Sequence, residues 1–171
     1  MAARAVQLGW QLPPEPSTTD DPPLALLVDG RRLAPVSVAH GLHVFLLPAA
    51  RTAVRLVSRS AVANETRPWV SDDRRLGVLP RELTVRSGRS AVPIPLDHPA
   101  LGDGWWQPEW HGPTTLRRWT NGDGLVPMPD IHPMEAGHLM EAGPCVLEVE
   151  VAAAPPYLLL ATGGVKGARA A

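Results

Sequence analysis

Residues Cys145–Val151 read CVLEVEV. Cys145, Leu147, Val149 and Val151 alternate with Val146, Glu148 and Glu150, the period of two that buries one face of a strand and wets the other. This is the cleanest strand pattern in the chain, and the fold reading grows from it.

Working outward, LALLV from Leu24 and LAPVSV from Leu33 flank the pair Asp29-Gly30. Asp-Gly between apolar runs signals a two-residue hairpin, because both turn positions need positive φ. LHVFLL (Leu42–Leu47) and AVRLVS (Ala53–Ser58) add two more strands. VLPRELTV (Val78–Val85) supplies another, followed by a turn at Ser87-Gly88 and by AVPIPL (Ala91–Leu96). The prolines of that last segment place it at a sheet edge, since Pro cannot donate to a ladder. Between Ser58 and Gly77 the chain is polar and aperiodic, which predicts a long crossing loop with buried anchors at Val62 and Trp69. The chain has 20 Pro and 15 Gly, a density that favours short strands over long helices. Together these features predict a single antiparallel β-sandwich over residues 24–152. Residues 1–23 form an N-terminal segment with at most a short helix near Ala2–Trp10, and 153–171 a tail without fixed structure. The duplicated MEAG at Met134–Gly137 and Met140–Gly143 reads as an inserted loop.

Composition narrows the function classes. A net charge of −1 offers no general attraction for nucleic acid or an anionic membrane surface. No apolar run reaches the length of a membrane-spanning helix. The single cysteine, Cys145, excludes an internal disulfide and a cysteine-based zinc site, and its place in an apolar strand makes it an inert core residue. No cofactor is expected, and no Walker, dinucleotide or nucleophile-elbow motif occurs. The N-terminus lacks a convincing signal peptide, so localisation stays undetermined.

Four of the six tryptophans fall between Trp105 and Trp119, in GWWQPEWHGPTTLRRWTNGDG (Gly104–Gly124). Such a block can be a core corner, a partner-binding hot spot or a platform for sugar rings. Sugars stack apolar faces on indoles and offer hydroxyls to carboxylates and guanidinium groups. On that reading the ligand-binding candidates are Trp105, Trp106, Glu109, Trp110, Arg117 and Asp123. Trp69 and Trp119 are expected to be core anchors. Three indoles within six residues cannot all point inward, so at least one of Trp105, Trp106 and Trp110 should be exposed.

Asp72, Asp73, Arg74 and Arg75 form a charged knot. They can bind a cation or a sugar hydroxyl. The favoured reading is structural: Asp–Arg pairs clamp the loop to the sheet, so that losing Asp73 or Arg75 lowers stability. A hydrolase would need two of Asp97, Asp103, Glu109 and Asp123 held across a cleft, with His98 or His111 nearby. Turn chemistry accounts for Asp97 and Asp103 without catalysis. His132, His138, Glu135 and Glu141 lack metal-binding spacing and read as solvated side chains.

VRLVSRSAVANETRPWVSDDRRLGV (Val54–Val78), IPLDHPALGDGWWQPEW (Ile94–Trp110) and RRWTNGDGLVPMP (Arg117–Pro129) carry a resemblance. Over about Leu24–Val151 the chain resembles the C-terminal accessory region of bacterial Hint-domain (hedgehog/intein-like) proteins, and similar blocks occur beside bacterial glycosyltransferases. The resemblance implies an accessory β-domain in a cell-surface or secreted setting. Hint self-cleavage needs a Cys or Ser nucleophile at the start of its block. Cys145 stands mid-strand near the other end, so no autoprocessing residue is carried over. The reading is therefore a non-enzymatic accessory β-sandwich that binds surface glycan or a neighbouring protein domain through its tryptophan-rich surface. The alternative is a glycan-processing enzyme or a truncated remnant of a self-processing protein.

Overall fold

Asp29 and Gly30 take φ of 47° and 83°, the mirror-image turn that a tight right-twisted hairpin requires. The Asp29 carboxylate then ties the turn to the next strand, accepting from the backbone N–H groups of Thr52 and Ala53 and from the Thr52 hydroxyl at 2.6–3.2 Å. His40-Gly41 repeats the device with φ of 50° and 83°. The sequence reading did not include this second turn, because His-Gly is not among the customary hairpin dipeptides.

The computed structural model describes residues 17–66, 69–129, 134–135, 138–139 and 144–159. In chain order the strands begin with β1 (Thr18–Thr19), β2 (Ala25–Val28), β3 (Arg31–Leu33), β4 (Ser37–Ala39), β5 (Leu42–Leu47), β6 (Val54–Val57) and β7 (Ala61–Val62). After one helical turn, Ala63–Thr66, come β8 (Arg75–Leu76), β9 (Leu79–Ser87), β10 (Ser90–Pro93), β11 (Glu109–His111), β12 (Thr115–Arg117) and β13 (Asp123–Leu125). The last are β14 (Met134–Glu135), β15 (His138–Leu139), β16 (Cys145–Ala153) and β17 (Tyr157–Leu158). The expected helix at Ala2–Trp10, most of the MEAG duplication and the segment Ala161–Ala171 lie outside the described residues.

Two antiparallel sheets form the sandwich. One has the order β10-β9-β16-β5-β4 and the other β13-β6-β2-β3. The CVLEVEV strand is the centre of the larger sheet, with β9 on one side and β5 on the other. Its inward residues Cys145, Leu147 and Val149 are buried, while Glu148 and Glu150 face outward and pair with Arg86 and Arg81. Phe45, Leu47, Leu83 and Val85 join them from the larger sheet, and Leu26, Val28, Val54 and Leu56 close the core from the smaller one. Each fully buried aliphatic chain contributes about 1.5–3 kcal/mol relative to exposure. As expected from its prolines, β10 lies at an edge.

Three features depart from expectation. The crossing loop carries the short β7–β8 pair and a helical turn. Trp69 within it is 82% exposed, so it is no core anchor; Ala61 and Leu76 are buried in its place. Strand pairing also extends past residues 24–152: β1 pairs with β17, and buried Tyr157 donates its hydroxyl to the Gly77 carbonyl at 3.0 Å.

One irregularity interrupts the ladder between β9 and β16. Along β9 and β16 the register runs Glu82↔Glu150, Pro80↔Val151 and Leu79↔Ala153, leaving Arg81 on β9 and Ala152 on β16 without a partner in the ladder. Pro80 has no N–H to give, so the ladder bulges there.

Candidate functional site

The tryptophan block folds back on itself because its glycines let backbone meet backbone. Gly104 has φ of 78°, and a Cβ there would collide with the Asp123 carbonyl. That approach permits the Trp105–Thr120 bridge and the hydrogen bond from Trp106 N to the Trp119 carbonyl at 2.9 Å.

The indoles consequently have four different fates. Trp105 is 8% exposed; it packs against Gly124, and its Nε1 donates to the Leu125 carbonyl at 2.7 Å. It belongs to the core, not to a surface platform. Trp106 is half-buried, donates Nε1 to the Arg75 carbonyl at 3.0 Å and lies 5.7 Å beneath the Arg74 guanidinium. Trp110 is 68% exposed. Trp119, expected as a core anchor, is half-buried and open on one side to a groove.

The charged residues brace this arrangement. Arg74 pairs with Asp72 at 2.8 Å and with Glu109 on β11, and both carboxylates favour its charged form. Arg74 in turn holds the Asp72 carboxyl below the usual range. The clamp predicted for the knot thus runs through Asp72 and Arg74. Asp73 and Arg75 are exposed and make no ion pair among the described residues, because alternate loop positions point to solvent. Asp123 and Asp103 both close on Arg55, at 2.7 and 2.6 Å. Buried Arg118 donates Nε to the Trp106 carbonyl at 2.7 Å and Nη1 to the Leu96 carbonyl at 3.1 Å. Burial pushes its pKa down, opposed by the nearby Asp97 carboxylate.

The groove lies where β12 passes over the bulge of β9 and β16. It has a volume of about 510 Å³, within the range of small-ligand sites, and Leu79, Pro80 and the freed Ala152 form its apolar floor. Trp119 is its aromatic wall. Arg81, Arg117, Thr114 and Thr115 supply the polar lining. Trp110 stands directly opposite Leu116 and Glu109 opposite Arg117, so Trp110 and Arg117 lie on opposite faces of the β11–β12 hairpin. Of the predicted ligand-binding residues, Arg117 lines the groove and Trp110 does not. Trp105, Trp106, Glu109 and Asp123 do not line it. Sequence reasoning missed Arg81, Thr114 and Thr115, which lacked any signal because the groove forms between segments more than thirty positions apart.

A second hollow of about 500 Å³, between Val28, Leu33, Leu46 and Pro144, is mainly apolar and carries only Asp29 and Arg31 as charged lining. Among the described residues no group of three or more His, Cys, Asp or Glu side chains is placed to hold a metal ion. No protein-family model, no curated protein and no solved structure matches the chain.

Proposed function

We propose that this chain is a non-enzymatic accessory β-sandwich domain of Hint-type architecture, and that it binds a saccharide in the groove walled by Trp119. The observation that carries this reading is the juxtaposition of a half-open indole, an apolar floor and two guanidinium groups in one concave site. A sugar ring offers a matching pair of surfaces, an apolar face for the indole and a rim of hydroxyls for the polar groups.

The carboxylates support binding over hydrolysis. Asp103 and Asp123 share Arg55, and Glu109 is engaged by Arg74. Arg55 also holds the Asp103 carboxyl below its usual range, which suits a fixed anion and not a proton donor. Retention of the protein on an immobilised glycan array, with quenching of tryptophan fluorescence by any retained sugar, tests the proposal. Trp119→Ala should abolish retention while leaving the β-sheet circular dichroism spectrum intact. Retention unchanged in that variant would place binding elsewhere.

A further inference from the structure

We infer that the groove selects a saccharide bearing a ring carboxylate, a uronic-acid unit, with Arg117 as its anion-recognising residue. The inference rests on the proposal that this groove is the binding site.

The lining carries the argument. It contains two guanidinium groups and two threonine hydroxyls, and no carboxylate or side-chain amide. A neutral sugar presents donors and acceptors in equal measure and is best held by a lining that offers both. This lining is dominated by donors, so its complement is a ligand that brings its own acceptors.

The two arginines are not equivalent. Arg81 is neutralised by Glu150 at 2.9 Å. Arg117 makes no ion pair and no side-chain hydrogen bond among the described residues. A neighbour of opposite charge exists for it, since Glu109 is its cross-strand partner in the β11–β12 register. Glu109 is taken instead by Arg74. The loop clamp thereby leaves half-buried Arg117 lining the groove with its guanidinium fork unoccupied among the described residues. A planar carboxylate satisfies that fork with two parallel hydrogen bonds. The carboxylate of a uronic acid projects from the ring edge, so the ring can lie against Trp119 while its anion reaches Arg117.

The test uses isothermal titration of the full chain with oligogalacturonate, oligoguluronate and hyaluronan fragments. Fully methyl-esterified oligogalacturonate serves as the neutral counterpart and dextran sulfate as a polyanion without carboxylates. At least one uronic-acid oligomer should bind about tenfold or more tightly than the methyl ester and dextran sulfate, the ratio expected for one charge-assisted pair. Arg117→Gln should remove that preference, and Arg117→Lys should restore only part of it, because an ammonium lacks the fork. Arg117 is on a surface hairpin, and an unchanged circular dichroism spectrum verifies each fold. If neutral glycans bind equally well and lose binding in Trp119→Ala, the acidic preference is wrong and the saccharide site survives. If dextran sulfate matches the uronates, the site reads charge alone and the inference falls. If no saccharide binds, or binding ignores both substitutions, the inference and the proposed function fall together.

Discussion

Glu109 stands directly opposite Arg117 across the β11–β12 ladder, yet the two do not pair: the Glu109 carboxylate closes on Arg74 in the crossing loop. One carboxylate therefore fastens the loop to the hairpin and, by the same contact, leaves Arg117 without an ion pair among the described residues.

Arg74→Ala should lower the melting temperature by about 2–5 °C, the effect of roughly 1 kcal/mol in a domain of this size. Its partners are partly exposed, which keeps the loss modest. Asp73→Ala and Arg75→Ala should melt like the parent, because neither side chain is paired among the described residues. Differential scanning calorimetry of the three variants separates the clamp from its neighbours. Equal losses in all three would return the whole knot to a structural role.

Acid should loosen the same clamp. The carboxyls of Asp72, Asp103 and Asp29 are held below their ordinary range by Arg74, by Arg55 and by the Thr52 hydroxyl respectively. Groups with depressed folded-state pKa values contribute stability that is complete above the unfolded value near pH 4 and is lost as pH falls through the folded one. The melting temperature should accordingly be level near neutrality and decline below about pH 4. Arg74→Ala should show a shallower decline in a thermal titration from pH 6 to pH 2, since Asp72 then loses its reason to stay ionised.

The tryptophans should separate by quenching. Trp69 and Trp110 are largely exposed and Trp105 is buried. Trp69→Phe and Trp110→Phe should each remove an acrylamide-accessible component of the fluorescence with little change in stability. Trp105→Ala should cost about 3–5 kcal/mol, the usual range for emptying a buried indole site. A stable Trp105→Ala variant would show that the block does not close on the core as described.

Gly104 and Gly112 both have positive φ, at 78° and 70°, but differ in surroundings. A Cβ at Gly112 meets nothing within 4 Å, so Gly112→Ala should cost only the left-handed strain of about 1–2 kcal/mol. Gly104→Ala forces Cβ into the Asp123 backbone and should prevent folding. Expression and circular dichroism of the pair check the contrast.

Cys145 is buried and its thiol pKa is pushed up by that burial. A thiol reagent at neutral pH should label it only after denaturant is added, because the thiolate is the reactive form. Rapid labelling of the native protein would contradict the central position of β16.

The all-β fold was legible where local chemistry and tertiary demand agree. Alternation in Cys145–Val151 and the Asp29-Gly30 pair each imply their structure without knowledge of the rest of the chain. The candidate site was legible only in part. Trp110 could be expected outside, because crowding alone forbids three inward indoles. The burial of Trp105 depends on Gly124, nineteen positions later, and the exposure of Trp69 depends on which loop residues reach the sheet. Periodicity reports neither relationship. Arg81 entered the groove through a bulge set by Pro80, and a single proline in a strand pattern signals irregularity without saying what gathers around it.

The pairing of Thr18–Thr19 with Tyr157–Leu158 puts the incoming and outgoing backbones side by side, at the roughly 4.8 Å spacing of neighbouring strands. A unit built this way can be spliced into a loop of a host protein without prying the host's attachment points apart. It is equally suited to circular permutation, with a short linker joining the two flanks and new termini opened at the exposed hairpin around Gly112.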